Sequence, residues 1–329
     1  DLNLTLSCRI IIAIPIMQVF AKKSTGETKK MQNPTNEILK ETYTLPGGVK
    51  IPKLGLGTWL MENKTAEIAT QAAISLGYRH IDTAQAYGNE QGVGAGVRAA
   101  IQSGAVTRDE LFITSKVAAE NKTYESAAQS INETLEKTGL SYLDLMLIHS
   151  PQPWKEFREE KRYFQENKAV WRALQDAFQT GKLRAIGVSN FLIDDLDNLL
   201  EDCKIRPMVN QILTHVGNTP LELIGFCKAQ NILTEAYSPI AHGAALNHPL
   251  IVKTAEKYGV TPARLCVRYT LQLGMVSLPK AANPEHIRQN AELDFTISDG
   301  DMLLLQNAQK FRNADYGESR VFPVYGGKL

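Results

Sequence analysis

Cysteine is scarce here, and none of it is paired in sequence. Cys8, Cys203, Cys227 and Cys266 are widely scattered in 329 residues and form no C-x-x-C motif. That spacing argues for single thiols in a reducing compartment rather than a disulfide framework or a zinc site. Histidine is also sparse, six in all, with no H-x-H or comparable ligand spacing, so no metal is expected. Charge of one sign is missing too. The formal net charge is +1, and basic residues cluster only as Lys22-Lys23 and Lys29-Lys30. A nucleic-acid binder would carry a basic face or stripe, so none is expected as a partner. No repeat recurs at a period of about 20–50 residues, and no low-complexity linker divides the chain, which favours one domain over two.

Long hydrophobic runs are absent as well. The apolar stretch Ile10 to Ala21 is interrupted by Pro15 and Gln18, and is shorter than the ~20 residues that span a bilayer. It resembles the apolar part of a signal peptide but lacks a clear cleavage site, and Met31 opens a more ordinary start. Residues 1–34 are therefore read as an extension outside the fold, with secretion the lesser alternative to a cytoplasmic location. Residues 35–329 are read as one domain. At 43% hydrophobic and 22% charged, the chain has ordinary globular composition and can bury a large core.

From Tyr43 onward the pattern is regular. YTLPGGVKI predicts a small hairpin around Pro46-Gly47-Gly48. Eight short β-prone runs follow: 53–57, 78–82, 111–116, 143–149, 184–190, 208–212, 232–238 and 275–280. Helical stretches separate them, several ending at a glycine such as Gly77, Gly139 or Gly181, the expected helix stop. This alternation demands parallel strands with helices outside, and its length fits a (β/α)8 TIM barrel. A doubly wound open sheet is the alternative. Residues 150–168 form a long polar connection that on a barrel would lie over the C-terminal face, where substrate-shaping loops belong.

Polar residues fall where such a barrel places its chemistry. The strand ends carry Asp82, Lys116, His149, Ser189-Asn190, Gln211, Tyr237-Ser238 and Lys280 in order, with Tyr87 five residues beyond Asp82. Taken singly, each has an ordinary explanation: Asp82 as a helix cap, Lys116 as a solvated lysine, His149 as a core histidine. Taken together they point to one shared polar site. Carbonyl reduction needs such a set. A phenol is a weak proton donor near pKa ~10, and a neighbouring ammonium stabilises its phenolate. A carboxylate keeps that ammonium charged and oriented, and a histidine positions the carbonyl.

The segments GLGTW, GYRHIDTAQAYGNE, LFITSK, LDLMLIHSP, GKLRAIGVSNF, VNQI, EAYSP and LPKAANPEHIRQN resemble the aldo-keto reductase superfamily. The likeness is to bacterial diketogluconate, glyoxal and aldehyde reductases, and runs from Tyr43 to Asp315. It implies a barrel that binds a nicotinamide dinucleotide without a Rossmann domain. Gly92-x-Gly94-x-Gly96 is then a helix-packing run rather than a cofactor fingerprint. Position by position, Tyr87 matches the proton donor, Lys116 the group tuning its pKa, Asp82 the lysine's partner and His149 the carbonyl orienter. Ser189, Asn190 and Gln211 match residues that hold the nicotinamide carboxamide, and Tyr237 the aromatic beneath the ring. Ser238 and Lys280 match phosphate contacts, and Asn290 an adenine-side contact. Trp59 resembles a substrate-pocket wall.

Three positions depart from the family pattern. A tryptophan commonly follows the histidine, and here Ser150 stands there, which suggests a wider pocket unless residues 152–168 refill it. Ala281 replaces the usual serine or threonine after Lys280. His286 aligns with an arginine that grips the 2′-phosphate of NADPH, while Arg288 lies two residues on. NADPH remains the expected cofactor through Lys280, with weaker discrimination against NADH. The resulting reading is a monomeric reductase of small carbonyl compounds. A cofactor-sensing barrel without catalysis and a metal-dependent barrel hydrolase are the competing classes.

Overall fold

The computed structural model describes residues 36–157 and 160–311. The N-terminal extension and the aromatic tail after 311, both singled out in the sequence, lie outside the described residues. The hairpin is present: β1 (Thr42–Thr44) pairs antiparallel with β2 (Lys50–Pro52), Tyr43 opposite Ile51.

Eight parallel strands follow: β3 (Gly55–Gly57), β4 (His80–Asp82), β5 (Phe112–Val117), β6 (Leu145–Ile148), β7 (Ile186–Ser189), β8 (Val209–Leu213), β9 (Leu233–Tyr237) and β10 (Val276–Leu278). Each pairs with its sequence neighbour, and parallel bridges Leu54–Ser277 and Gly57–Lys280 join the first strand to the last. This ring is a (β/α)8 barrel. Its strands read as apolar runs because both faces are covered, as in β6, where all four residues are buried.

The helices are α1 (Asn63–Ser75), α2 (Glu90–Gln102), α3 (Tyr124–Thr138), α4 (Phe164–Gln179), α5 (Ile193–Leu200), α6 (Leu221–Ala229), α7 (Pro249–Tyr258), α8 (Pro262–Gln272), α9 (Pro284–Asn290) and α10 (Asp299–Gln306). Helix α1 buries Ala66, Ala69, Thr70, Ala73 and Ile74, the one-face spacing of a helix on a sheet. Helix α3 starts at Thr123, whose hydroxyl accepts from Ser126 N–H, and stops at Gly139 in the left-handed conformation (φ 65°).

The glycine run lies inside α2. A Cβ at Gly92 would sit 2.0 Å from Asn63 O, and one at Gly94 2.1 Å from Thr138 O. These glycines let α2 press its backbone onto α1 and the end of α3, the packing role read from the sequence.

Two boundaries differ from expectation. Several strands end earlier than expected, so His149, Asn190 and Ser238 stand on the first position after their strands and Lys280 on the second. Asn190 (φ 62°) and Ser238 (φ 51°) turn the chain off the barrel at once. Helix α4 begins at Phe164, so the connection after β6 is shorter than the predicted 150–168. Its first turn is anchored by buried Asn167, which donates to Pro151 O at 2.9 Å and accepts from Lys122 Nζ at 3.0 Å.

Candidate active site

Lys116 is the penultimate residue of the long strand β5 and is fully buried. Its ammonium donates to Asp82 Oδ1 at 2.7 Å, to Thr83 O at 2.8 Å and to the Tyr87 hydroxyl at 3.3 Å. All three donor hydrogens are therefore used. Asp82, at the end of β4, is 3% exposed and takes a second bond from Gln211 Nε2 at 2.9 Å. The loop that carries Tyr87 is stitched by buried Asn89. That side chain donates to Thr58 O (2.8 Å) and Met61 O (3.0 Å) and accepts from Thr83 Oγ1 (2.6 Å).

Burial alone would lower the Lys116 pKa, but the charge and hydrogen bonds of Asp82 and Tyr87 more than offset it and raise it. The lysine is thus a fixed cation. Burial is also the largest influence on Tyr87 and raises its pKa; the Lys116 ammonium pulls the other way without reversing it. The downward pull expected of the ammonium is present, and burial outweighs it. His149 is held neutral by burial and by the Lys116 charge, well below its ordinary value. Its ring meets Tyr87 edge-on at 5.6 Å, and its Nδ1 is buried with no hydrogen-bond partner among the described residues.

Ser189, Asn190, Gln211 and Tyr237 form one network beside this centre. Ser189 Oγ donates to Gln211 O (2.9 Å), Asn190 Nδ2 to His149 O and Ser189 Oγ (3.1 Å each), and Tyr237 OH to Asn190 Oδ1 (2.8 Å). A cavity of about 340 Å³ opens above, with Trp59, Asp82, Tyr87, Tyr237, Ser238 and Lys280 in its lining. His242 closes one side, meeting Trp59 edge-on at 4.8 Å and lying 2.9 Å from Ser238 Oγ through Nε2. A larger cleft of about 750 Å³ lies at the N-terminal ends of the strands, lined by Lys50, Arg79, Leu111 and Arg184 among others. None of these residues touches the Lys116 cluster.

Some expected site residues fall elsewhere. Ser150 is fully buried, donates its hydroxyl to Gln152 O at 2.7 Å and does not line the cavity. Beside His149 the loop after β6 places Trp154, edge-on at 5.0 Å. His286 is exposed on α9, and Asn290 is buried at its end. Arg288 is engaged by Glu285 (2.6 Å) and Glu292, while Lys280 is exposed with no partner among the described residues.

Residues that sequence reading missed sit beneath the centre. Glu235 and His80 are both fully buried inside the barrel, and Gln211 Nε2 bridges Asp82 to Glu235 Oε2 at 2.9 Å. A charged residue in a strand interior was the available signal. Among the described residues no cluster of metal-ligating side chains occurs, and no helix is long and apolar enough to cross a membrane.

The sequence matches the Aldo/keto reductase family over residues 53–309. It is 43% identical over 266 residues to a glyoxal reductase of Bacillus subtilis, covering 80% of this chain and 91% of that protein. It is 36% identical over 309 residues to an aldehyde reductase of Saccharomyces cerevisiae, covering 88% and 96%. The fold is similar to a Bombyx mori aldo-keto reductase solved in complex with NADP, with a TM-score of 0.75 and 32% identity, covering 82% of this chain and 93% of that one. With a match across most of its length and an eight-stranded barrel to carry it, this chain belongs to the aldo/keto reductase family.

Proposed function

We propose that this protein is an NADP(H)-dependent reductase of aldehydes and ketones, with Tyr87 as general acid. The observation that carries the reading is the Lys116 ammonium, within hydrogen-bond reach of both Asp82 and Tyr87 at the base of the cavity. Its relatives include a glyoxal reductase and an aldehyde reductase.

A nicotinamide dinucleotide, when bound, supplies the hydride. The chain's own residues manage the proton and the orientation. Tyr87, protonated because burial raises its pKa, gives its hydroxyl proton to the carbonyl oxygen. Lys116 stabilises the phenolate as it forms, and Asp82 holds Lys116 charged and aimed. Neutral His149 orients the carbonyl. Ser189, Asn190 and Gln211 would hold the carboxamide, and Tyr237 would support the ring.

The chemistry of the donors fits such a cofactor. Both acceptors beside Gln211 are carboxyl oxygens, so the amide turns its nitrogen to them and its carbonyl oxygen the other way, suited to an amide N–H. Lys280, at the cavity rim, is available to a phosphate, with Ser238, Asn290 and exposed His286 as neighbouring contacts. Arg288 would have to leave two carboxylates to serve, so preference for NADPH over NADH rests on Lys280 and is modest.

Tyr87→Phe tests the reading. Lys116 keeps Asp82 and Thr83 O as partners, so the variant folds and binds NADPH, followed by its fluorescence. kcat/KM for reduction of a small dicarbonyl falls by about 10²–10⁴-fold. Full activity in the variant refutes the assigned acid.

A further inference from the structure

Beneath the catalytic cluster the barrel encloses a second carboxyl group with no counter-charge of its own. Glu235 is 0% exposed on β9. Its Oε2 accepts from Gln211 Nε2 at 2.9 Å, and the same nitrogen donates to Asp82 Oδ2 at 2.9 Å. Its Oε1 is buried without a hydrogen-bond partner among the described residues, 4.0 Å from His80 Nε2.

The titratable groups around it are few. Strand β4 supplies His80 and Asp82, and β5 supplies Lys116. Its neighbour β8 contributes the uncharged Gln211, and β10 is Val276-Ser277-Leu278. Burial holds His80 neutral, lowering its pKa to about 3. Among the described residues Lys116 is the sole cation acting on Glu235, and it is already bonded to Asp82. Two carboxylates bridged by one amide would share a single ammonium, an arrangement that like-charge repulsion and burial both oppose.

We propose that Glu235 is a positioning residue of this centre: as a neutral carboxylic acid it anchors the Gln211 amide against Asp82 and so fixes the direction in which Gln211 offers its carbonyl oxygen. The proton sits on the unpartnered Oε1, which leaves Oε2 free to accept. Burial, with the Asp82 charge second, raises the Glu235 pKa to about 8. The site is therefore charge-balanced at neutral pH. In alkaline solution it gains a second negative charge below Tyr87, which holds the phenol protonated to higher pH.

The first test needs no cofactor and stands apart from the proposed activity. The folded pKa of about 8 lies above the ordinary carboxyl value of 4.5. Stability from this group is therefore full below about pH 4.5 and is lost as pH rises toward about 8. Urea unfolding of the full chain and of Glu235→Gln is compared at about pH 5.5 and about pH 8.5. The wild-type midpoint falls relative to the variant across that interval. An equal pH dependence in the two proteins overturns the proposal.

The second test rests on the reductase reading. At neutral pH Glu235→Gln retains reduction within about threefold, because one neutral acceptor replaces another. The alkaline limb of its kcat/KM profile moves down by about 0.5–1 pH unit, because the extra charge is gone. An unmoved limb overturns the coupling. A wild type without reductase activity fails the functional reading alone and leaves the unfolding comparison to decide. Should the variant not fold, infrared difference spectra of the wild type between about pH 6 and about pH 9 decide. Loss of a protonated carboxyl band is expected, and no change overturns the proposal.

Discussion

Replacing Lys116 by Met removes, among the described residues, the one fully buried cation while nearly conserving side-chain volume. Lys116 is fully buried and Asp82 is 3% exposed, with 2.7 Å between their charged atoms. After the change Asp82 keeps only Gln211 as a side-chain donor. Breaking such a pair from one side costs about 3–5 kcal/mol, because a charge is stranded away from water. An exposed pair of similar length makes the comparison. Lys40 and Glu37 are 3.1 Å apart, but their side chains are 76% and 62% exposed, and Lys40→Met should cost at most about 1 kcal/mol. Urea unfolding of both variants measures the difference directly. Asp82→Asn in the Lys116→Met background should recover part of the loss, with a coupling of about 2 kcal/mol in the double-mutant cycle. A loss below about 1 kcal/mol for Lys116→Met would show that water screens this pair as it does a surface bridge, and the account of Lys116 as a fixed buried cation fails.

Three further outcomes follow from the packing and the rim of the cavity. Gly92→Ala must push its methyl into Asn63 O and should destabilise the fold by about 3 kcal/mol or more; an unchanged melting temperature contradicts the close approach of α2. Trp154→Ala removes the wall beside His149 and should raise kcat/KM for bulky carbonyls relative to small ones by about tenfold, read from a substrate panel. His286→Arg adds a guanidinium on α9 and should raise the NADPH-to-NADH ratio of kcat/KM by about tenfold. An unmoved ratio would place the 2′-phosphate away from α9.

The barrel was legible because parallel strands buried on both faces leave compact apolar runs, and all eight appear where those runs lie. The candidate polar cluster was legible for a related reason: strand ends are the positions at which a barrel tolerates polar side chains, so Asp82, Lys116 and His149 stand out. Glu235 and His80 were only partly so: a polar residue inside a strand is visible, but the sequence does not separate a solvated edge from a sealed interior. That depends on which residues close over it. Trp154 was hidden differently. A loop's path follows from its anchors, here Lys122 and Asn167, and no periodicity encodes them.

The stitched loop from Thr83 to Asn89 has a consequence for how this enzyme can diversify. Asn89 ties the loop to Thr58, Met61 and Thr83, and α2 starts at once with glycines pressed onto their neighbours. An insertion there would displace Tyr87 from Lys116 and unseat a helix together. The loop after β6, which carries Trp154 beside His149, hangs from a different strand and can change composition without displacing Tyr87. New substrate range is thus accessible through one rim of the barrel, while the other is frozen against drift.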